Sequence, residues 1–298
     1  MFILPIRGSV QLSMPSDRVD ESQPGPRITH AKCSVMERRI SEFCQFKIQQ
    51  PVTLIADVSA CGQTFQVSAA DQKEFILRFL PFPTTRLLRQ ERVGLAHEMD
   101  VIRLLSDSQI YTPRVVSHAS GSIDGYWPHI LLQYGTSVSL STLRPLDDAQ
   151  KATVKKSLEE WLVSVSSIES SAFGTFTHES DTLTWRNCFR AMLESTLREA
   201  EDMMVGLPYD NIRDCVRRYG YALDHVTTPR LVIPRAGCWR NIMVEPITLQ
   251  VTGLVDYSSA VWGDPDMVVY VVDDEGGRIP LKASTYAISS QFRLRSLL

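Results

Sequence analysis

The chain has 298 residues, of which 44% are hydrophobic, so it can bury a substantial core as one large or two medium-sized domains. Its formal net charge of −3 at pH 7 gives no electrostatic reason to expect a nucleic-acid partner. It contains no apolar run of about 18 residues, and its apolar start is too short for a signal peptide. We therefore expect no membrane partner. The six cysteines are scattered without a C-x-x-C pair, which favours reduced thiols and a cytoplasmic location.

The hydrophobic pattern predicts an α+β order of elements, with strands first, helices next and a hairpin after them. After a mobile tail over residues 1–33, the predicted elements are a short helix from residue 34, strands within residues 52–79, a helix over residues 89–105, and strands at residues 112–117 and 130–134. Further helices are predicted over residues 149–168, 185–204 and 209–226. Beyond residue 265, two short strands are predicted to flank a turn at residues 276–277.

The segment from Leu231 to Pro265 carries the strongest functional pattern. Two apolar runs, residues 241–244 and 251–255, predict a short β-hairpin. Asn241 stands at the start of the first run, and Asp256 follows the second directly. This arrangement places an amide oxygen and a carboxylate at the mouth of one hairpin. A magnesium ion that carries ATP phosphates prefers such oxygen ligands.

This segment resembles the catalytic and metal-binding loops of the aminoglycoside phosphotransferase and choline kinase-like family. The family pattern reads L-V-H-G-D-x-x-x-x-N-I-L-V, then x-G-V-I-D-W, then G-D-P. The matching residues are Asn241, Ile242, Val244, Gly253, Val255, Asp256, Tyr257, Trp262, Gly263, Asp264 and Pro265. The resemblance implies a two-lobed protein-kinase-like fold, with a small antiparallel-sheet N-lobe for nucleotide binding over residues 34–135. A mainly helical C-lobe would span residues 136–298, with a divergent, shortened C-terminus.

The resemblance also implies a phosphate-contacting ion pair. In this fold a basic residue on the third strand contacts the nucleotide phosphates and pairs with a carboxylate on the following helix. Arg78 and Glu98 fill those two places. The alternative for each residue is an ordinary solvated charge, on a strand for Arg78 and on a helix surface for Glu98.

Two further nucleotide contacts are implied less distinctively. Gly62 and Thr64 lie at the turn that corresponds to the family's phosphate loop, where glycine lets backbone N–H groups approach phosphates. A plain hairpin turn explains that loop equally well, because it holds a single glycine. Gln133 and Gly135 lie in the segment that corresponds to the hinge, whose backbone groups would face adenine.

The family's catalytic Asp is missing. Counting back from Asn241 puts Ala236 at its position, whereas counting forward from Leu231 puts Arg235 there, with one extra residue in the loop. Neither residue can accept the proton of a substrate hydroxyl.

Three functions therefore remain open. The chain is a pseudokinase or repurposed small-molecule-binding protein of metabolite biosynthesis, a slow ATP-dependent O-phosphotransferase for small molecules, or a non-phosphoryl enzyme such as a cyclase or isomerase that acts in the interlobe cleft. ATP and magnesium are the implied cofactors, although the altered loop leaves open that neither is bound. We expect a small-molecule metabolite as the partner.

Overall fold

The structure is a computed structural model that describes residues 40–57, 64–79, 94–119, 128–143, 145–175, 178–179, 184–273 and 276–281. Helix α1 is described over residues 40–48. The first strands are β1 (Val52–Asp57), β2 (Thr64–Ala69) and β3 (Glu74–Phe79), followed by helix α2 (Gly94–Asp107) and strands β4 (Arg114–Ala119) and β5 (His129–Gly135). These strands form one antiparallel sheet in the order β1-β2-β3-β5-β4.

The alternation of side chains along β3 explains how this sheet is covered. Phe75 and Leu77 join the apolar cluster that contains α1, whereas Ile76 joins the cluster that contains α2. Successive side chains of a strand point to opposite faces, so Arg78 lies on the α2 face together with Ile76. This alternation brings the basic residue of β3 to the helix that carries Glu98.

The second half of the chain is mainly helical. Its helices are α3 (Asp148–Ser166), α4 (Trp185–Asp202) and α5 (Tyr209–Tyr219). Helix α3 begins with a capping box, in which the side chain of Asp147 accepts from the Gln150 N–H and the Gln150 side chain accepts from the Asp147 N–H. Its buried residues recur at helical spacing, at Val154, Leu158 and Trp161.

Short strands and 3₁₀ turns complete the fold. The strands are β6 (Val138–Ser139), β7 (Gly174–Thr175), β8 (His178–Glu179), β9 (Arg230–Val232), β10 (Ile242–Val244), β11 (Val251–Leu254), β12 (Val261–Gly263), β13 (Tyr270–Val272) and β14 (Arg278–Pro280). The hairpin predicted from the two apolar runs is present as β10–β11, and β6 pairs with β10 on its other side. The C-terminal hairpin is present as β13–β14, and Gly276 in its turn has φ +81°.

The α+β order predicted from the sequence is therefore confirmed. The domain boundary proposed after residue 135 stays a prediction, and one continuous apolar core contains residues from both sides of it, including Leu132 and Leu158. Within the described ranges, no helix combines the length and apolar character needed to cross a bilayer.

Candidate functional site

Asn241 and Asp256 lie side by side at one end of the β10–β11 hairpin. The register pairs Ile242 with Leu254, so the residue before β10 and the residues after β11 meet at the same edge. The Asn241 carbonyl accepts from Val255 N–H at 2.8 Å, and Asn241 Nδ2 donates to the backbone carbonyl of Asp256 at 3.0 Å. Asn241 thus ties the two ends of the hairpin together.

Arg78 and Glu98 form the ion pair that the sequence predicts. Arg78 Nη1 donates to Glu98 Oε2, and also to Asp256 Oδ1 at 2.9 Å. The Glu98 side chain is fully buried, and its Oε1 accepts from the Tyr257 N–H at 3.2 Å. One guanidinium therefore joins the N-terminal sheet, helix α2 and the β10–β11 hairpin.

Arg235 brings a second guanidinium to the same carboxylate. It lies in the 3₁₀ turn Pro234–Gly237, and its Nη1 donates to Asp256 Oδ2. Its backbone N–H donates to Ser259 Oγ at 3.1 Å, and its carbonyl accepts from Asn241 Nδ2 at 3.1 Å. Ala236 is buried in the core instead. Of the two alignments that the sequence leaves open, the geometry favours the one that sets Arg235 against the site.

Arg78, Glu98, Arg235 and Asp256 are called the charge cluster below. Burial acts to raise the pKa of Asp256, but the positive charges of Arg78 and Arg235 outweigh it and hold that pKa well below its ordinary value. Burial raises the pKa of Glu98 to about 7, against the opposing effect of Arg78. The Asp256 carboxylate is therefore ionised and fully engaged by the two guanidinium groups.

The structure places the other predicted nucleotide contacts as follows. Gly62 lies outside the described residues, whereas Thr64 is the buried first residue of β2 and pairs in register with Arg78. Gln133 is paired on both sides, with Phe75 and with Arg114, so its backbone lies inside the sheet. Gly135 lies beyond the residues of β5 that pair with β4, and its φ is +65°. A role for these residues in binding a nucleotide stays a prediction.

Two large side chains of the altered loop differ in exposure. Trp239 is buried in the main core and packs there, whereas the side chain of Arg235 is 30% exposed. The sequence reasoning missed the contact between Arg235 and Asp256. A signal was available, because an arginine that replaces a carboxylate near Asp256 has an obvious acidic partner.

Two tyrosines that the sequence does not single out for this role hold the end of β11. Tyr257 Oη accepts from the Leu254 N–H at 2.9 Å, and Tyr134 Oη donates to the Leu254 carbonyl. The site also needs a glycine at position 253, where φ is +137° and a Cβ would stand 2.6 Å from Tyr257 Oη. These contacts fix the end of β11, two residues before Asp256.

The described residues do not fit a divalent cation at Asn241 and Asp256 as they stand. Both carboxylate oxygens of Asp256 already accept from guanidinium groups, and Asn241 Nδ2 is directed at two backbone carbonyls. A cation placed there would also stand beside two positive side chains. Elsewhere in the described ranges, no group of three or more His, Cys, Asp or Glu side chains is arranged to hold a metal ion.

Comparison with known proteins identifies the fold family. The sequence matches the phosphotransferase enzyme family over residues 59–267. A search of curated proteins by sequence found no match.

Several solved structures are similar to this chain. Aminoglycoside phosphotransferase APH(2'')-Ib bound to ADP is 16% identical, with a TM-score of 0.47 over 78% of this chain and 73% of that one. An aminoglycoside-3'-phosphotransferase of type VIII is 14% identical, with a TM-score of 0.47 over 75% of this chain and 77% of that one. Macrolide 2'-phosphotransferase type I is 13% identical, with a TM-score of 0.47 over 82% and 77% of the two chains.

The family match carries the assignment, because it spans more than half of the chain and includes strands β2 to β5 of the sheet, helix α2 and the β10–β11 hairpin. With its small antiparallel sheet followed by a mainly helical part, this chain has the protein-kinase-like fold and belongs to the phosphotransferase enzyme family.

Proposed function

We propose that this chain is a pseudokinase that binds a small-molecule metabolite in the cleft of its fold and does not transfer phosphate at the rate of an active kinase. The observation that supports the proposal is the position of Arg235. Its guanidinium stands against Asp256, at the loop where the family pattern has a catalytic Asp.

The chemistry of proton transfer gives this observation its weight. A general base that accepts the substrate's hydroxyl proton accelerates a reaction by about 10²- to 10⁴-fold. An arginine side chain keeps its proton throughout the physiological pH range, so it cannot act as that base. Phosphoryl transfer also depends on positioning and on charge stabilisation. The loss of a base therefore slows such a reaction and does not by itself abolish it.

Asp256 is a poor replacement for the missing base. Both of its oxygens accept from guanidinium groups, and Oδ1 accepts in addition from the Ser258 N–H at 2.8 Å. These contacts stabilise the ionised carboxylate, and the pKa of Asp256 is correspondingly low. A carboxylate of low pKa has little tendency to take a proton from a hydroxyl group.

The test measures binding and turnover separately. Thermal stabilisation by ATP and by candidate metabolites reports binding. Phosphate transfer from ATP to an aminoglycoside, a macrolide and a panel of other hydroxylated compounds reports turnover. We expect stabilisation by at least one compound, with transfer that is undetectable or very slow.

An Arg235→Asp variant tests whether the loop limits the activity. It should raise ATP turnover by about 10²-fold over the wild-type background if the rest of the site is competent. Arg240→Asp is the matched control, because Arg240 lies in the same loop with an exposed side chain and undergoes the same change of charge. Rapid transfer by the wild-type chain would overturn the proposal and establish an active phosphotransferase.

A further inference from the structure

We propose that Arg235 acts as a built-in cation at Asp256, so that the charge cluster binds an oxyanion, a phosphate or carboxylate group, without a divalent metal. This inference rests on the proposed function and specifies the chemistry of its ligand. Four observations support it: the charge balance, the unused donors, the fixed position of Arg235, and its exposure.

When Glu98 and Asp256 are both ionised, the charges of the cluster balance without a metal ion. Two guanidinium groups face two carboxylates, and each oxygen of Asp256 contacts one of the guanidinium groups. With an Asp at position 235, three carboxylates would face the single guanidinium of Arg78. That excess of two negative charges is what one divalent cation would neutralise. In this chain, a divalent cation would instead have to displace Arg235 from Asp256.

The two arginines keep N–H groups that a ligand can use. A guanidinium has five N–H donors in a planar fork that matches the oxygens of phosphate and carboxylate groups. Arg78 contacts both of its carboxylates through Nη1, and its Nε is buried with no acceptor in the described part of the chain. Arg235 likewise contacts Asp256 through Nη1. A buried N–H without an acceptor is costly, so an incoming oxyanion would relieve an existing deficit at Arg78.

Arg235 is held in place before any ligand arrives. Its backbone is fixed by the contacts with Ser259 Oγ and Asn241 Nδ2, and its guanidinium is anchored on Asp256. A side chain that is already ordered loses less entropy on binding than a mobile one. At 30% exposure, the Arg235 side chain can also be reached from solvent, whereas the Arg78 side chain is 14% exposed. Arg235 would therefore make the first contact with the anion.

The experiment compares binding in EDTA with binding in Mg²⁺, by calorimetry on the full chain. The probes are pyrophosphate, ATP and citrate, which separate a bare phosphate group, a nucleotide and a carboxylate as the source of the oxyanion. We expect at least one probe to bind at least as tightly in EDTA as in Mg²⁺, because the anion meets Arg235 rather than a metal ion.

Variants at position 235 test the role of the guanidinium. Arg235→Gln should weaken binding in EDTA by about 10- to 100-fold, because a charge-assisted hydrogen-bond donor is lost. Arg235→Lys keeps the charge and should recover part of the affinity, which guards against a folding defect in the Gln variant. Arg186→Gln is the control, since Arg186 pairs with Asp224 in an exposed ion pair away from the cluster.

The possible results separate this inference from the proposed function. Binding that requires Mg²⁺ overturns the inference and leaves a ligand-binding pseudokinase. Equal losses in Arg235→Gln and Arg186→Gln, or no loss in either, also overturn it. Failure of every probe to bind in both conditions overturns the anion site, while stabilisation by an uncharged metabolite in the same chain would still support the proposed function.

Discussion

Replacing Asp256 with Asn is the perturbation that best probes the charge cluster. The substitution keeps the size of the side chain and removes its charge. If Asp256 serves as the shared anion of two guanidinium groups, its loss leaves Arg78 with Glu98 alone and leaves Arg235 without its carboxylate partner. If Asp256 stood in the cluster chiefly as a metal ligand, its negative charge would repel Glu98 in the metal-free protein. Removing that charge would then relieve the repulsion and raise the free energy of unfolding.

The magnitude follows from the burial of the partners. The side chains of Asp256 and Arg78 are 8% and 14% exposed, and removal of one partner from a buried ion pair costs about 3–5 kcal/mol. Arg78 retains Glu98, which argues for the lower end of that range. Arg235 is 30% exposed and can regain water, so its lost contact adds less than about 1 kcal/mol. We therefore expect Asp256→Asn to lower the free energy of unfolding by about 3 kcal/mol, and the melting temperature by on the order of 10 °C.

Urea unfolding in EDTA, followed by tryptophan fluorescence and by circular dichroism, measures this difference. Asp224→Asn is the matched control, because Asp224 pairs with Arg186 at 3.0 Å in an exposed position. That control should lose no more than about 1 kcal/mol. An Asp256→Asn variant that equals or exceeds the wild type in stability would refute the reasoning, since it would show that the two guanidinium groups do not depend on the carboxylate.

Two further predictions concern parts of the fold outside the cluster. Gly263→Ala should destabilise the chain by about 1–3 kcal/mol in urea unfolding, because the added Cβ would stand 2.6 Å from the buried ring of Trp185. Arg213→Gln should lower stability at pH 7, and the deficit relative to the wild type should shrink toward pH 3. Hydrogen bonds from Arg213 hold the pKa of Glu194 and of Glu201 below their ordinary value, so their stabilising effect is present above that value and is lost as the pH falls through the lower folded pKa.

The controls for these two predictions come from the same chain. Gly206→Ala adds a Cβ at a position with no atom within 4 Å, so it should leave the free energy of unfolding nearly unchanged. For the pH series, Arg217→Gln removes an exposed arginine of the same helix, whose partner Asp214 lies three residues earlier in that helix. A deficit in Arg213→Gln that is the same at pH 3 and at pH 7 would show that its cause is packing rather than linkage to the two carboxyl groups.

Apolar patterning predicted the order of the main strands and helices. The apolar run over Glu74–Phe79, which turn residues precede, predicted a strand, and the strand is present with these limits. The sequence prediction for the last helix ran from residue 209 to 226, whereas α5 ends at Tyr219 and a 3₁₀ segment, Gly220–His225, continues. Apolar spacing does not distinguish these two helix types over so short a segment, because both keep one face toward the core.

Only those parts of the candidate site in which the sequence matches the family pattern were predictable. The pairing of Arg78 with Glu98 followed from the resemblance, and the structure contains that pair. The position of Arg235 did not follow, because an extra residue in the loop leaves two alignments that differ by one position. The path of the chain through Pro234–Gly237 sets Arg235 against Asp256, and that path depends in part on a contact with Ser259, which lies 24 residues further along the sequence.

The presence of Asn241 and Asp256 does not by itself indicate metal-dependent chemistry in this chain. Each residue has a structural task that needs no metal: Asn241 joins the carbonyls of Arg235 and Asp256, and Asp256 holds two guanidinium groups. A sequence motif that makes these contacts looks the same as one that serves catalysis. The residue at position 235 distinguishes the two cases, because an aspartate there would add a negative charge that calls for a cation, whereas arginine supplies the cation itself.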